Sequence, residues 1–173
     1  MLSLSDNEFS VINFLVRSFS EKLTIRNIAQ RLNFSSAGVF NILKKLEKQN
    51  IVVGQKLGTG LFYSINFDNK IAEHLASVVL LYSEDKIERI SNEQIKQANA
   101  AMFDKKNLLL ISDNVTVIDL TIPNINVIVK TKDEIESLLR KKDPDMIQLL
   151  KKSVVLFGES KVVEIIKNCI QRF

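Results

Sequence analysis

The sequence has almost none of the side chains that build disulfide frameworks and zinc sites. It contains one cysteine, Cys169, and one histidine, His74. A disulfide needs a pair of cysteines and a Cys/His zinc site needs several ligands, so neither can form within one chain. The same scarcity leaves no Ser-His-Asp or Cys-His catalytic group to propose. Both residues are expected to be structural, on a helix surface or in the core.

Long apolar runs are missing as well. The longest, LASVVLLY at positions 75–82, has eight residues, far fewer than the roughly 20 that span a bilayer. The first residues, MLSLSDNEFS, carry Asp6 and Glu8, where a secretory signal has basic residues followed by an apolar run. With 173 residues, 46% apolar and 25% charged, the chain has the composition of a globular protein of one medium or two small domains. We therefore expect a cytoplasmic protein without a membrane partner.

The net charge of +4 is modest and unevenly distributed. The first 68 residues contain eight Lys/Arg and five Asp/Glu, a net +3, and the rest of the chain has a net +1. Seven basic residues lie between Lys22 and Lys56, and the only acidic residues in or directly beside this stretch are Glu47 and Glu21. Such an excess is expected of a surface that meets phosphates, and a solvated charged face is the alternative.

Three amphipathic helices are predicted in this basic part of the chain. Their N-caps are, in order, Ser5 with Glu8 three residues later, Thr24, and Ser35 or Ser36. The second helix is short, over residues 25–32. The apolar stripes predicted to face inward are Phe9, Ile12, Leu15, Val16 and Phe19 in the first helix, Ile28, Ala29 and Leu32 in the second, and Val39, Ile42, Leu43 and Leu46 in the third.

The third helix, predicted over residues 36–48, keeps a polar outward face. Its members are small or polar at one end and basic at the other: Ser36, Ala37, Phe40, Asn41, Lys44, Lys45 and Lys48. This face suits a DNA major groove, because small residues allow close approach, Asn41 can pair with adenine, and lysines can reach phosphates. An exposed Phe40 can contact a thymine methyl group. The alternative assigns the lysines to solubility and Phe40 to the core.

The stretch that follows, IVVGQKLGTGLFYSIN, predicts a β-hairpin. Two apolar runs, residues 51–55 and 61–66, flank a glycine-rich tip with Lys56 and Thr59. The order of helix, helix, short turn, helix and hairpin resembles the winged helix-turn-helix family, in its MarR-like and archaeal forms, over residues 5–67. The residues FSSAGVFNILKKLEKQNIVV followed by GTGLFYSIN carry the resemblance.

The resemblance has implications for position and for function. Asn50 stands where the family often has glycine, and asparagine also tolerates the left-handed conformation. Leu43, Leu46 and Ile51 occupy the family's usual apolar positions. The resemblance implies that helix 36–48 enters the major groove and that the wing tip around Lys56 lies along the backbone or minor groove.

The rest of the chain is predicted as a helical connector followed by a small α/β domain. No glycine or proline occurs in residues 69–103, which are predicted as one or two helices broken near Ser83. The apolar face of this connector is Ile71, Leu75, Val78, Val79 and Tyr82. Three strand-like runs follow, NLLLIS, VTVIDLTI and INVIVKT, and then helices at 132–140, 143–152 and 160–171. The predicted fold class is α+β, with domains 1–67, 68–105 and 106–173.

Residues 107–168 show a second, weaker resemblance, to small nucleotidyltransferase domains of the minimal archaeal and bacterial type. The stretch INVIVKTKDEIESLLRKKDPDMIQLLKKSVVLFGESKVVEIIKN carries it, with a strand, two helices and a VLFG-like tail. The resemblance implies a Gly-Ser loop that holds a phosphate and an Asp-x-Asp pair that binds two metal ions.

This chain departs from the nucleotidyltransferase pattern at both motifs. Ser112 lacks its glycine, and Val117 stands where the first metal carboxylate would precede Asp119. A single carboxylate holds Mg²⁺ poorly, and Asp113 would have to substitute from a loop. The GES stretch beginning at Gly158 is predicted as a strand-to-helix turn rather than a phosphate loop. We therefore expect an inactive domain without catalytic residues, metal or cofactor.

The sequence thus predicts a DNA-binding protein, a transcriptional regulator whose C-terminal domain serves assembly, effector sensing or partner contact. Its small net charge favours two copies on adjacent half-sites, so the apolar connector face, with Leu75 and Val79, is predicted as a homodimer interface. Packing of this face within the chain is the alternative.

The competing functions are a nucleotidyltransferase-family enzyme and an antitoxin-like module that contacts only protein. A small-molecule effector is compatible with this scheme and is not identified.

Overall fold

The structure, a computed structural model, describes residues 4–82, 95, 97–113 and 120–170. The chain divides into two compact units, Met1–Val79 and Leu80–Phe173. Both contain helices and strands, so the architecture is mixed α+β as predicted. None of the helices described is long and apolar enough to cross a membrane.

The first unit contains three helices, a hairpin and most of a fourth helix. Its elements are α1 (Asp6–Arg17), α2 (Ile25–Leu32), α3 (Ser36–Lys48), β1 (Val52–Leu57), β2 (Gly60–Ile65) and α4 (Lys70–Leu81). The predicted N-caps are confirmed at Ser5, Thr24 and Ser35, each of which accepts a backbone N–H three residues later. The two strands are antiparallel, with Val52 opposite Ile65 and Leu57 opposite Gly60.

The core of this unit follows the predicted stripes closely. Its buried apolar side chains include Ile12, Leu15, Val16, Ile28, Val39, Leu43, Leu46, Ile51, Tyr63 and Ile65. Three predicted members, Phe9, Leu32 and Ile42, are only partly buried. They lie at the margins of their helical faces, where periodicity alone does not define how far the neighbouring elements extend.

Asparagine side chains form hydrogen bonds between the segment that follows α3 and the start of α4. Asn50 has a φ of 57°, which confirms the left-handed conformation predicted for it. Its carbonyl accepts hydrogen bonds from the side-chain amides of Asn66 at 3.1 Å and Asn69 at 3.0 Å. The Asn69 Oδ1 accepts the N–H of Ile71 at 2.9 Å, in the first turn of α4. A single amide thus contacts backbone groups at two helix ends, where intrahelical partners are missing.

Asn50→Ala is expected to lower the free energy of unfolding by about 1 kcal/mol, because a β-carbon disfavours the left-handed region and alanine cannot offset this locally. Asn50→Gly is the matched control, since it loses the same side chain but adopts that conformation freely. Urea unfolding followed by circular dichroism measures both. Equal losses in the two variants would mean that the left-handed conformation of residue 50 does not affect the free energy of unfolding.

Helix α4 has two apolar faces where one broad face was predicted. The inner face is buried and consists of Ala72, Ala76, Val79 and Leu80. The outer face contains Ile71 and Val78, which are 54% and 53% exposed, with the partly buried Leu75 between them. Tyr82, which follows the helix, is also exposed. Val79, which was predicted in the dimer interface, is 0% exposed and shares the helical spacing of the inner face.

In its described residues, the second unit contains a four-stranded sheet and three helices. Its elements are β3 (Ala100–Phe103), β4 (Asn107–Ile111), β5 (Asn126–Lys130), α5 (Lys132–Arg140), α6 (Pro144–Lys152), β6 (Val154–Phe157) and α7 (Glu159–Ile170). The strand order is β5-β4-β3-β6. β3 is antiparallel to β4 and β6, and β4 is parallel to β5. The side chains of Leu108–Ile111 are fully buried, so β4 lies at the centre of the core.

Several predictions for this unit are confirmed and one is wrong. The runs NLLLIS and INVIVKT form β4 and β5, and all three helices begin and end within one residue of their predicted bounds. Most of VTVIDLTI lies outside the described residues. The helical connector predicted over 68–105 does not extend that far, because Ala100–Phe103 is a strand. Its residues lack β-branched side chains, and strand pairing on both sides overrides their helical tendency.

The turn between β6 and α7 packs tightly against the beginning of β3. Gly158 has a φ of 73°, and a β-carbon there would lie 2.3 Å from the Asn99 carbonyl oxygen and 2.5 Å from the Ala100 Cα. Glycine is therefore required by both conformation and space. This confirms that GES forms a strand-to-helix turn.

Candidate nucleic-acid interface

Helix α3 exposes the whole of its predicted outward face. Ser35 caps its first turn by accepting the Gly38 N–H at 3.0 Å. Burial of Val39, Leu43 and Leu46 then turns the opposite side of the helix outward. The exposed residues are Ser36, Ala37, Phe40, Asn41, Lys44, Lys45 and Lys48. Phe40 is 45% exposed, so the alternative that places it in the core is wrong.

Lys44 is held on the side of α3 nearest the hairpin. Its Nζ lies 2.8 Å from Glu47 Oε2 and 6.0 Å from the centroid of the Phe40 ring. The hydrogen bond to Glu47 raises the pKa of the Lys44 ammonium above its ordinary value. A β-carbon at Gly54 would lie 3.0 Å from Glu47 Oε1 and 3.2 Å from the Tyr63 ring. Glu47 is therefore packed between α3 and the hairpin.

Lys45 is held on the other side of the helix, by α1. Its Nζ lies 2.6 Å from Oε1 of Glu8, whose side chain is buried while that of Lys45 is half-exposed. Burial alone would raise the pKa of the Glu8 carboxyl, but hydrogen bonds from Lys45 and Ser5 lower it below its ordinary value. The sequence indicated Glu8 as a helix cap and gave no signal for this second contact, since Lys45 belongs to a different helix.

Lys48 and Lys56 differ from Lys44 and Lys45. Both are exposed, and neither makes a salt bridge within the parts of the chain that the structure describes. Lys48 lies at the C-terminal end of α3, and Lys56 lies in β1 next to the hairpin tip. Of the four lysines predicted to contact DNA, these two can meet a phosphate without leaving a carboxylate.

The hairpin has a tight tip and unexpected apolar exposure. Gly58 has a φ of 59°, the conformation that the first central residue of a type II′ turn requires. Thr59 follows it and is exposed, as predicted. Val53, Leu57 and Leu61 are also exposed large apolar residues. The sequence pattern predicted the strands but not which of their side chains the unit leaves uncovered.

Of the residues considered for a nucleotidyltransferase site, the structure describes Ser112 and Asp113. Ser112 is buried, while Asp113 is exposed and donates its backbone N–H to the Asn99 side chain at 2.9 Å. Val117 and Asp119 lie outside the described residues. Across the described ranges, no group of three or more His, Cys, Asp or Glu side chains could hold a metal ion. Cys169 is buried in α7, and His74 is exposed on α4.

Comparison with known proteins bears on the first unit. Residues 2–58 match the model of the MarR family, and this segment extends from α1 to the tip of the hairpin. No curated protein matches the chain. The resemblance of the C-terminal residues to nucleotidyltransferase domains therefore receives no support. With three helices followed by a two-stranded hairpin, the N-terminal part of the chain is similar to a winged-helix domain of the MarR family.

Proposed function

We propose that the protein binds double-stranded DNA as a transcriptional regulator, with α3 in the major groove and the β1–β2 hairpin as the wing. The observation that carries this proposal is the exposed face of α3, which changes from small and polar residues to lysines along the helix. The match of the same segment to the MarR family supports it, because that family suggests a DNA-binding regulator.

Each exposed side chain has a role that its chemistry suggests. Ser36 and Ala37 allow the start of α3 to approach the bases, where Asn41 pairs with adenine and Phe40 contacts a thymine methyl group. Lys48 and Lys56 contact phosphates, and Thr59 lies at the wing tip against the DNA backbone or minor groove. Lys44 reaches a phosphate only by exchanging its bond to Glu47.

Replacing Lys48 and Lys56 together by glutamine is expected to weaken binding to all DNA sequences. Each phosphate contact contributes about 0.9 to the slope of log affinity against log salt, so the double variant should lower that slope by about two. Fluorescence anisotropy with a labelled duplex over a salt series measures it. Lys70→Gln, which removes a lysine of α4 outside the proposed interface, is the control. A double variant with the parent's salt dependence would contradict the assignment of α3 and the wing.

The proposal includes a homodimer that binds two half-sites. Its support is the outer face of α4, where Ile71 and Val78 are exposed and Leu75 is partly buried, followed by the exposed Tyr82. An apolar surface of this kind usually contacts a partner, and proteins of the MarR family typically form dimers. A dimer places two recognition helices about one turn of DNA apart.

The apolar residues exposed on the hairpin, Val53, Leu57 and Leu61, favour a second candidate, a winged helix that contacts only protein. The two candidates differ in their response to salt. Phosphate contacts release counterions, so DNA affinity falls steeply as ionic strength rises, whereas an apolar protein contact is not weakened in this way.

A further inference from the structure

Glu8 carries two separate contacts on one buried carboxylate. Its side chain belongs to the first turn of α1, and the residue is only 5% exposed. Oε2 accepts the backbone N–H of Ser5 at 2.9 Å, as the capping box requires. Oε1 lies 2.6 Å from the Nζ of Lys45 on α3. A helix cap alone would not need the second contact, so Glu8 also connects α1 to the helix proposed to enter the groove.

The burial of Glu8 makes this contact difficult to exchange. A carboxylate removed from water is stabilised only while it stays paired and hydrogen-bonded. If Lys45 moved to a DNA phosphate, Glu8 would retain only hydrogen bonds from the capping turn. Removing one member of a buried charge pair is costly because the other charge is left unpaired. A phosphate at the solvent-exposed surface of DNA offers Lys45 no comparable compensation.

Lys48 provides the contrast within the same helix. It lies three residues after Lys45, is exposed, and makes no salt bridge within the described part of the chain. Two lysines in the last turn of one helix thus differ in the presence of a buried carboxylate partner. This difference between Lys45 and Lys48 comes from α1, because Glu8 belongs to that helix.

We propose that Glu8 is a positioning residue that withholds Lys45 from DNA and so limits how many phosphates α3 neutralises. This inference rests on the proposed DNA-binding function. Phosphate contacts supply sequence-independent affinity, and base contacts supply specificity. By holding Lys45 against α1, Glu8 lowers binding to random sequence while leaving the base-facing residues of α3 unchanged. Its role is to favour specificity over total affinity.

The test uses the full chain and a duplex of random sequence over a salt series. Glu8→Gln removes the charge but preserves the cap, because glutamine serves equally at this position of a capping box. It should free Lys45, raise the salt slope by about one, and make affinity fall about 3.5-fold more between 50 and 200 mM salt. Asp6→Asn, which removes an exposed charge from the same turn of α1, is the matched control and should leave the slope unchanged.

Lysine variants complete the design. Lys45→Gln alone should leave the parent's slope unchanged, Lys48→Gln should lower it by about one, and Glu8→Gln combined with Lys45→Gln should return it to the parent value. If Lys45→Gln lowered the slope as Lys48→Gln does, Lys45 would contact DNA and the inference would be wrong. A Glu8→Gln variant with altered thermal stability but the parent's slope would also overturn it. A parent without salt-dependent DNA binding would instead refute the proposed function itself.

Discussion

Gly158→Ala is expected to lower the free energy of unfolding of the C-terminal unit by about 3 kcal/mol or more, through strain and overpacking together. The new β-carbon would occupy a left-handed residue and would overlap backbone atoms of Asn99 and Ala100. Those atoms cannot move aside easily, because β3 pairs with β4 on one edge and with β6 on the other. Relief of the clash would break one of these pairings.

Gly58→Ala is the matched control for this experiment. Gly58 also has a positive φ, of 59°, but no atom lies within 4 Å of the position its β-carbon would take. Its substitution should therefore cost only the conformational strain, about 1–2 kcal/mol. Urea unfolding of the full chain, with limited proteolysis to identify which unit opens, measures both variants. Equal small losses would show that the turn after β6 is less tightly packed than the structure indicates.

Val78→Glu is expected to reduce affinity for a duplex with two half-sites by about 100-fold or more, the advantage that joining two binding modules typically provides. Val78 is among the most exposed residues of the outer face of α4, and a dimer built on that face would bury the new carboxylate without a partner. Affinity for a duplex with one half-site should not change. Fluorescence anisotropy with both duplexes separates loss of the dimer from loss of the groove contact.

The control for Val78→Glu is Lys70→Gln, which changes the net charge of the same helix by the same amount. Sedimentation velocity should show that Val78→Glu lowers the mass of the parent at micromolar concentration and that Lys70→Gln does not. A monomeric parent, with a Val78→Glu variant of unaltered mass and DNA affinity, would remove the dimer from the proposed function.

Local signals made the first unit predictable. Ser5, Thr24 and Ser35 satisfy backbone groups only three residues away, so the sequence contains both partners of each cap. The outward face of α3 follows from helical spacing alone, because Val39, Leu43 and Leu46 determine the buried side. The ion pair between Glu8 and Lys45 could not be predicted in this way. It depends on how α1 and α3 pack, and neither residue differs in type from other charged residues of the unit.

Helix α4 shows a second limit of sequence patterns. A helix that is apolar around much of its circumference does not indicate which part faces the core. The inner face contains the small side chains Ala72 and Ala76 beside Val79 and Leu80, while Ile71 and Val78 remain exposed. Val79 was therefore predicted on the same broad apolar face as Val78. The strand at Ala100–Phe103 was missed because its residues lack β-branched side chains and one of its two partners, β6, lies more than fifty residues away in the sequence.

The amide of Asn69 has a further consequence for motion in the first unit. Its Nδ2 donates to the Asn50 carbonyl just beyond α3, and its Oδ1 accepts the Ile71 N–H at the start of α4. Helix ends ordinarily fray independently, with little free energy needed to open them. Here rotation of one side chain breaks a hydrogen bond at each end, while the Asn66 amide still holds the Asn50 carbonyl. We therefore expect opening of the first turn of α4 to loosen the segment that follows Lys48 without releasing it, and hydrogen exchange of the Ile71 N–H to report the rotation of Asn69.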